Sequence, residues 1–337
     1  MAKLVEKTYN FLKKETVFAV SLILAIISCF FVKPNINYFN YINWDTIILL
    51  LVIMFIVEVL KNFAVFEVLV RKLLSKTGNT RGLVLTLVLI CFISSIFITN
   101  DVSLIIFVPF AILALKKVRR TDLAIVTVCL QTIAANVGCM FLPTGAPHNI
   151  VMYTVSKIPF DSFMIILLPY MIVSVVFILA VIFIIPNDEI TLPNLGEVKF
   201  NRKHFLKRVL FGVDYYLLLT FIALFILIGN MENITFFSQL FRQLITGNEV
   251  IFGIMVSQII SNVPAAMLLS GFSSNYEAII IGINLGGFGT LIASMANLIS
   301  FKLLIREYNE FKITYLVRFT VLNVVLLGIL LGVYVFI

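Results

Sequence analysis

An internal repeat inside apolar segments constrains the fold of this sequence more than any other feature. Residues 136–150 and 284–298 match without a gap at an offset of 148 positions, and each copy begins with Asn and carries a second Asn near its end. Each copy follows an earlier polar interruption, at residues 99–101 and 261–264. Polar and helix-breaking residues at corresponding points of two hydrophobic halves indicate a binding site near the middle of a membrane.

The composition supports a membrane location. Hydrophobic residues make up 61% of the 337 residues and charged residues only 12%, whereas soluble domains contain about 25% charged residues. Several uninterrupted apolar runs of about 20 residues each fit one bilayer crossing as a helix. The sequence therefore predicts an all-α membrane protein, a polytopic helical bundle in the lipid bilayer of the cell membrane.

The placement of positive charge predicts the orientation in the membrane. The net charge is +8, and 22 of the 25 basic residues fall in five groups between the apolar runs, at 3–14, 61–81, 116–120, 199–208 and 302–318. Basic loops are retained in the cytoplasm. We therefore expect a cytoplasmic N-terminus and an external C-terminus, and we interpret the positive excess as topology, with no nucleic-acid partner.

The first half of the chain is predicted to contain a re-entrant hairpin. Helices at 16–33 and 45–60, the second capped by Asp45, precede an amphipathic interfacial helix at 62–77. Residues 82–115 are apolar but begin and end at basic groups. A chain that enters and leaves on one side must turn inside the membrane, and a polar tip at Asn100 provides the turn.

The second half repeats this plan from the opposite side, which predicts inverted-topology repeats with two re-entrant hairpins and two broken helices. The predicted domains are an extra helix and external loop at 1–44, a first repeat at 45–185, a cytoplasmic linker at 186–211 and a second repeat at 212–337. The remaining elements of the first half are a span at 121–157, broken at 137–147, and a helix at 162–185. The second half is predicted to contain a helix at 214–230 opened by Asp214, an interfacial stretch at 232–247 and a hairpin at 249–272 with its tip at Ser261 and Asn262. It ends with a broken span at 276–306 and a final helix at 312–336.

The two hairpin tips and the two breaks are expected to converge on one site. A broken helix offers carbonyl groups to a cation at one end and amide groups to an anion at the other. The candidate substrate-binding residues are the polar and helix-breaking residues at these four points: Asn100, Asp101, Thr144, Gly145, His148, Asn149, Asn262, Pro264, Ser294 and Asn297.

Asp101 is the acid most clearly placed at this site. It would bind a cation, carry a proton or balance a substrate charge, or it would only cap the second limb of the hairpin. Glu58 is interpreted as an interfacial ion pair with Lys61. His148 is either a ligand-facing residue or a packed core residue, and Gln131 and Gln258 are expected to hydrogen-bond within the bundle.

These motifs resemble the ion transporter superfamily, which holds arsenite permeases, bacterial sodium/proton antiporters, citrate transporters and divalent anion/sodium symporters. The resemblance extends from about residue 45 to the end and rests on Thr-Asn-Asp-Val at 99–102 with Pro109, Pro-Thr-Gly-Ala-Pro-His-Asn at 143–149, Ser-Asn-Val-Pro at 261–264 and Asn-Leu-Gly-Gly at 284–287. The two tips are similar to those of the arsenite-permease and citrate-transporter-like branch.

The resemblance implies a homodimer in which a scaffold holds a mobile transport domain that moves like an elevator. It also implies sodium sites at each tip and the adjacent break. The candidate cation-binding residues are Thr99, Asn100, Asp101 and Gly138 in the first half, and Ser261, Asn262, Gly286 and Gly289 in the second.

The sequence therefore predicts a secondary active transporter of a small anion or oxyanion, of carboxylate type such as citrate or a dicarboxylate, coupled to sodium or protons. Two alternatives stay open, an arsenite or antimonite efflux permease and a sodium/proton antiporter that uses Asp101. The small number of acids inside apolar runs disfavours the antiporter. No phosphate-binding loop, metal-ligand spacing or nucleophile motif occurs, so neither an enzyme nor a cofactor is expected.

Overall fold

The computed structural model describes residues 16–36, 38–62, 77–190 and 205–337, except for the side chains of residues 16, 60–62, 205, 206 and 208. The elements in these ranges are helical, and Asn79 and Glu189 form an isolated bridge. Five helices are long and apolar enough to cross a membrane, which confirms the all-α polytopic prediction: Thr80–Phe97, Thr121–Gly138, Phe160–Ile184, Tyr215–Asn233 and Asn309–Phe336.

The first described helices are α1 (Thr16–Ser28), a short α2 (Tyr38–Tyr41) and α3 (Trp44–Asn62). The predicted cap of α3 is wrong. Asp45 lies inside the first turn, and the side-chain oxygen of Asn43 accepts from the Thr46 N–H at 3.0 Å, because Asn43 directly precedes the helix and has the geometry of an N-cap. The interfacial helix predicted at 62–77 lies almost entirely outside the described residues.

The first hairpin consists of α4 (Thr80–Phe97) and α5 (Asn100–Lys117). Its limbs are joined near the tip by a hydrogen bond of 2.7 Å between the hydroxyl groups of Ser94 and Ser103. The turn between the limbs lies directly before Asn100, where the tip is predicted, and its position inside the membrane stays a prediction. With 18 residues, α4 is about 27 Å long, so this limb alone approaches the thickness of the hydrocarbon core.

The first break separates α6 (Ala124–Gly138) from α7 (Pro147–Ser156), with a 3₁₀ turn at Pro143–Gly145 between them. Pro147 occupies the first turn of α7, where its missing N–H removes no helical hydrogen bond. The long α8 (Phe160–Ile184) completes this half.

The second half is described from residue 205 onward. The predicted linker at 186–211 is partly helical, because α9 (Phe205–Gly212) begins in its last third and packs against α3. Asp214 caps α10 (Tyr215–Asn233) as predicted and accepts from the Leu217 N–H at 3.0 Å. The helices are α9 (Phe205–Gly212), α10 (Tyr215–Asn233), α11 (Thr235–Ile245), α12 (Glu249–Ile260), α13 (Asn262–Phe272), α14 (Tyr276–Leu285), α15 (Met295–Glu307) and α16 (Lys312–Phe336).

The second hairpin, α12 and α13, is shorter than the first. Its limbs have 12 and 11 residues, which is about 17 Å each and roughly half of the hydrocarbon core. The hydroxyl group of Ser273 donates to the Glu249 carboxylate at 2.9 Å and closes the base of the hairpin. A bend of 115° separates α12 from α11.

The helices pack in two groups. The core group is α4–α8 with α12–α16, and the flanking group is α1–α3 with α9–α11. In the core group the first limb of each hairpin packs against the broken helix of its own half: α4 packs on α6, and α12 packs on α14. The second limb of each hairpin packs against a helix of the other half: α5 packs on α15, and α13 packs on α7. The groups meet mainly where α3 contacts α7 and where α10 and α11 contact α13.

Ion pairs join loops at one end of the core group. Lys116 at the end of α5 contacts Glu307 at the end of α15, with 2.7 Å between Nζ and the carboxylate oxygen. Arg120 contacts both Asp122 and Asp188. The basic groups at 116–120 and 302–318 therefore lie at the same end of the molecule, as the charge pattern predicts.

Candidate functional site

A chain of side-chain amides joins the first hairpin tip to both breaks. Asn100 Nδ2 donates to Asn136 Oδ1 at the end of α6, at 2.9 Å. Asn136 Nδ2 donates in turn to Asn297 Oδ1 at the start of α15, also at 2.9 Å. Asn297 then donates to the main-chain oxygens of Gly287 and Thr290, at 3.0 Å each. The chain therefore runs from the first hairpin tip across the first break into the second.

A second chain repeats these bonds at the offset of the sequence repeat. Asn284 Nδ2 donates to Asn149 Oδ1 at 2.8 Å, and Asn149 Nδ2 donates to the Cys139 oxygen at 3.0 Å. These bonds correspond, 148 positions apart, to those that Asn136 and Asn297 make in the first chain. The second hairpin tip joins the breaks through its main chain, since the Asn262 N–H donates to the Ala293 oxygen at 3.0 Å.

The amide network is buried and mutually satisfied. Its five asparagines (Asn100, Asn136, Asn149, Asn284 and Asn297) are all buried. Buried amides that are fully paired hold their surroundings in one arrangement. Asn136 and Asn284 are absent from the candidate residues, although the repeat itself begins with them, and their pairing across halves identifies them as part of the site.

Close packing explains two of the predicted glycines. A β-carbon added at Gly138 would lie 2.2 Å from the Phe92 oxygen and from Ser95 Oγ, and one at Gly286 would lie 2.6 Å from Ser257 Oγ. The lack of a side chain at each glycine therefore allows the first limb of the hairpin in the same half to pack closely against it. Two further glycines of the site are confined as well: Gly145 packs on the main chain of Cys139, and Gly289 has a positive φ of 114°.

Asp101 lines a cavity of about 280 Å³ between the two groups of helices. Its carboxylate accepts no hydrogen bond from any described residue, so the structure gives no support to the capping interpretation. Glu58 and Asp214 also line the cavity, which we call the acid-lined cavity. No basic residue is among its lining residues, which are Leu50, Ile53, Met54, Val57, Glu58, Thr99, Asp101, Val102, Ile105, Pro147, Ile150, Gly212, Val213, Asp214, Leu217, Met295 and Ile299.

The sequence does not predict that Glu58 and Asp214 lie at this cavity. It predicts Glu58 as a partner of Lys61, whose side chain lies outside the described residues, and the structure places Glu58 against Gly212 at the cavity. It predicts Asp214 only as a helix cap. The three acids line the cavity without converging, since the described residues contain no cluster of three His, Cys, Asp or Glu side chains able to hold a metal ion.

The second hairpin tip faces an apolar space. Ser261 has a positive φ of 75°, and its buried hydroxyl group has no hydrogen-bond partner. Asn262 is 3% exposed, and its side-chain amide pairs with no other described group. Ser261 and Pro264 line a cavity of about 410 Å³ that lies between the tip and helices α1 and α10 of the flanking group, and we call it the apolar cavity.

His148 contacts the other half of the molecule. Its Nε2 lies 3.2 Å from Asn284 Oδ1. The amide nitrogen of Asn284 already donates to Asn149 Oδ1 and to the Ile280 oxygen, so Oδ1 is the acceptor and the imidazole proton is on Nε2. Two other candidates lie at the breaks: Thr144 is half-buried in the 3₁₀ turn, and Ser294 is buried directly before α15.

Gln258 occupies oxygens that the resemblance assigns to a cation. Its Nε2 donates to the Gly286 and Phe288 oxygens at 2.9 Å each, and its Oε1 accepts from the Thr290 N–H at 2.9 Å. Gln131 donates to the Leu87 oxygen at 3.2 Å inside the bundle. Both glutamines therefore bond within the bundle, as predicted.

Comparisons with known proteins agree on one class. A family model described as Citrate transporter matches residues 6–274. An uncharacterized transporter of Methanocaldococcus jannaschii is 30% identical over 300 residues, which cover 79% of this chain and 82% of that protein. Inner membrane protein YbiR of Escherichia coli is 27% identical over 307 residues, or 78% and 80% of the two chains. A putative transporter, arsB, of Dictyostelium discoideum is 30% identical over 124 residues, or 37% and 22%.

Proposed function

Because the chain belongs to the citrate transporter family, we propose that this multi-pass membrane protein moves a small carboxylate-type anion, such as citrate or a dicarboxylate, by secondary active transport. We further propose that protons or sodium ions drive the movement. The substrate, the coupling ion and the mechanism are the proposal. The transporter class and the membrane location follow from the family.

One observation carries the proposal: the helix ends at the amide network. Four helices (α4, α6, α12 and α14) end at the hairpin tips and breaks, and the four that follow (α5, α7, α13 and α15) begin there. Helix N-termini present free N–H groups and a partial positive charge to an anion, and helix C-termini present carbonyl oxygens to a cation. A site of this kind suits an anion that travels with a cation.

The acid-lined cavity supports coupling to a cation. Asp101, Glu58 and Asp214 bring three carboxyl groups to its walls, and the described residues that line it include no basic side chain. Such a cavity repels an unaccompanied anion and attracts protons or metal cations. We propose that Asp101, at the hairpin tip, receives the coupling ion.

The boundary between the two groups of helices supports an elevator movement. The acid-lined cavity, the apolar cavity and a third cavity of about 310 Å³ near Glu232 and Ser270 all lie along it. We propose that the core group slides along the flanking group and that the flanking group forms the interface of a homodimer. The two repeats would have opposite orientations in the membrane, with the N-terminus in the cytoplasm.

Flux through the purified protein tests this function. In proteoliposomes we expect uptake of radiolabelled citrate or succinate that an imposed sodium or proton gradient accelerates several-fold over protein-free vesicles. An ionophore that dissipates the imposed gradient should lower uptake to the level measured without a gradient. A rate of uptake that changes with neither the sodium gradient nor the proton gradient would refute secondary active transport of these anions.

Cation/proton antiport is the second candidate. The specific observation in its favour is the acid-lined cavity, because Glu58, Asp101 and Asp214 all line it. In the same vesicles, sodium-dependent proton release without any carboxylate would support it. Arsenite uptake should be measured in the same vesicles, because the sequence leaves an arsenite or antimonite permease open as an alternative.

A further inference from the structure

The two half-sites differ in the side chain that donates to the asparagine at the end of the broken helix. In the first half, Asn136 Oδ1 accepts from Asn100 at the hairpin tip, at 2.9 Å. The equivalent acceptor in the second half, Asn284 Oδ1, accepts from His148 at 3.2 Å. The position 148 residues after His148 is Ala296, so the repeat has a histidine in one half only. His148 therefore takes the place that the second hairpin's asparagine would fill.

Asn262 lies near the end of α14, and its side chain makes no hydrogen bond with any described residue. A β-carbon added at Gly287 would lie 3.2 Å from Asn262 Nδ2 and 3.3 Å from the main-chain oxygen of Asn284. The Asn262 amide thus lies beside the end of α14 without pairing to its side chain. The neighbouring Ser261 hydroxyl group is also buried without a partner. Unpaired buried polar groups destabilise a fold, so their presence here calls for a reason.

We propose that His148 is a positioning residue that keeps the second tip open for ligand. By donating its Nε2 proton to Asn284, it supplies the hydrogen bond that Asn100 supplies to Asn136 in the first half, so the Asn262 amide is not needed for that bond. The Asn262 amide and the Ser261 hydroxyl group then stay available at the start of α13. Two neutral donors at a helix N-terminus suit the oxygens of a carboxylate. This ligand assignment rests on the proposed function, whereas the competition between His148 and Asn262 does not.

Thermal melting of the detergent-solubilised protein tests the competition without any ligand. In the wild-type background, Asn262→Ala removes an unpaired amide and should leave the melting temperature unchanged or raise it. In His148→Ala, Asn262 becomes the partner of Asn284, so adding Asn262→Ala should lower the melting temperature by about 3 °C or more. The reversal of sign is the expected signature.

The conservative variant supplies the control. Glutamine carries an N–H donor, so in His148→Gln the Asn262→Ala change should again be neutral or stabilising. If Asn262→Ala lowers the melting temperature equally in the wild-type, His148→Ala and His148→Gln backgrounds, the proposal is wrong. If only the His148→Ala variant fails to fold, the effect of Asn262→Ala on the melting temperature can still be measured in the wild-type and His148→Gln backgrounds. Those two measurements show whether the Asn262 amide is unpaired.

Citrate uptake then tests the ligand assignment. We expect His148→Ala and Asn262→Ala each to raise the KM for citrate about tenfold, as the loss of a hydrogen bond to a charged group predicts, and the double variant to be no worse than either. Additive losses would overturn the assignment. Wild-type protein that does not transport citrate would refute the proposed cargo, while the melting result would stand independently.

Discussion

At the scale of single residues, neighbours at the first hairpin tip have opposite environments. Asn100 is buried and bonded to Asn136, whereas Asp101 is half-buried and turns to the acid-lined cavity. An amide that is already paired acts mainly as structure. A carboxylate that faces a cavity without a basic partner is the group that a coupling ion would meet.

We therefore expect Asp101→Asn to weaken the dependence of transport on the coupling ion. Charge is lost at nearly constant shape, and a contact with a charged group is worth about 1.5–3 kcal/mol, so the apparent affinity for sodium or protons should fall about tenfold or more. Uptake as a function of sodium concentration and pH measures this. Asp45→Asn is the control, because Asp45 is exposed in the first turn of α3. Unchanged ion dependence in Asp101→Asn would leave Asp101 without a role in coupling.

Gly138 gives a second prediction at this scale. Gly138→Ala places a methyl group 2.2 Å from the Phe92 oxygen, so the first hairpin must move away, at a cost of about 1–3 kcal/mol for overpacking. Gly328→Ala is the matched control, since nothing lies within 4 Å of its added β-carbon. We expect a clearly lower melting temperature for the first variant only. Equal melting temperatures would mean that the hairpin does not rest on Gly138.

At the scale of elements, the amide network makes the two broken helices one unit. Asn136→Ala would leave Asn100 and Asn297 each with a buried group unpaired, and each such group costs about 1–3 kcal/mol. Asn323 is also buried, but its amide bonds only the Phe319 oxygen of its own helix. Asn323→Ala should therefore lower the melting temperature much less than Asn136→Ala. A comparable loss in both variants would show that the network does not tie the halves together.

The interruptions of the helices were predictable from the sequence because their signals are local. Asn100, Gly138 and Ser261 stand where polar or helix-breaking residues interrupt apolar runs, and each break is found within a few residues of its predicted place. The exact ends of the helices were harder to predict from the sequence. Asn43 and Asp45 are both good N-caps, and only the backbone of α3 shows which of them precedes the helix.

The partners of the site residues were not predictable in the same way. Glu58 and Asp101 lie on helices from different groups, and only the packing of the groups brings them to one cavity. The bonds of Asn136 with Asn297 and of Asn149 with Asn284 cross between halves that are far apart in sequence. The offset of 148 showed that these residues correspond, and the structure shows that they pair.

At the scale of the whole molecule, the charge pattern and the ion pairs identify one end. Lys116 and Glu307 bring two of the basic groups together there, and Glu58 and Gly212 place the start of α10 near the end of α3. If the Lys116 end and α9 are both cytoplasmic, as the charge pattern predicts, the loop around Ile36 lies outside the cell, because Asn230 near the other end of α10 bonds to Ser28 and Tyr38 on either side of that loop.

Cysteine labelling tests that orientation. In a Cys29→Ser background, Ile36→Cys, at a position that is 82% exposed, should react with an impermeant maleimide in intact cells. Lys207→Cys, also at an exposed position, should react only after permeabilisation. Cys91, Cys129 and Cys139 are buried and provide the unreactive baseline. The reverse pattern would invert the orientation of both repeats.

Met295 lines the acid-lined cavity and the apolar cavity alike. A single unbranched and flexible side chain thus lies between a cavity lined by three acids and a cavity lined mostly by apolar side chains. Tight coupling depends on the separation of these cavities, because a pore between them would let protons pass without cargo. Met295→Ala should make proteoliposomes leak protons in the absence of any substrate. Met255→Ala, on an exposed face of α12, should leave them sealed.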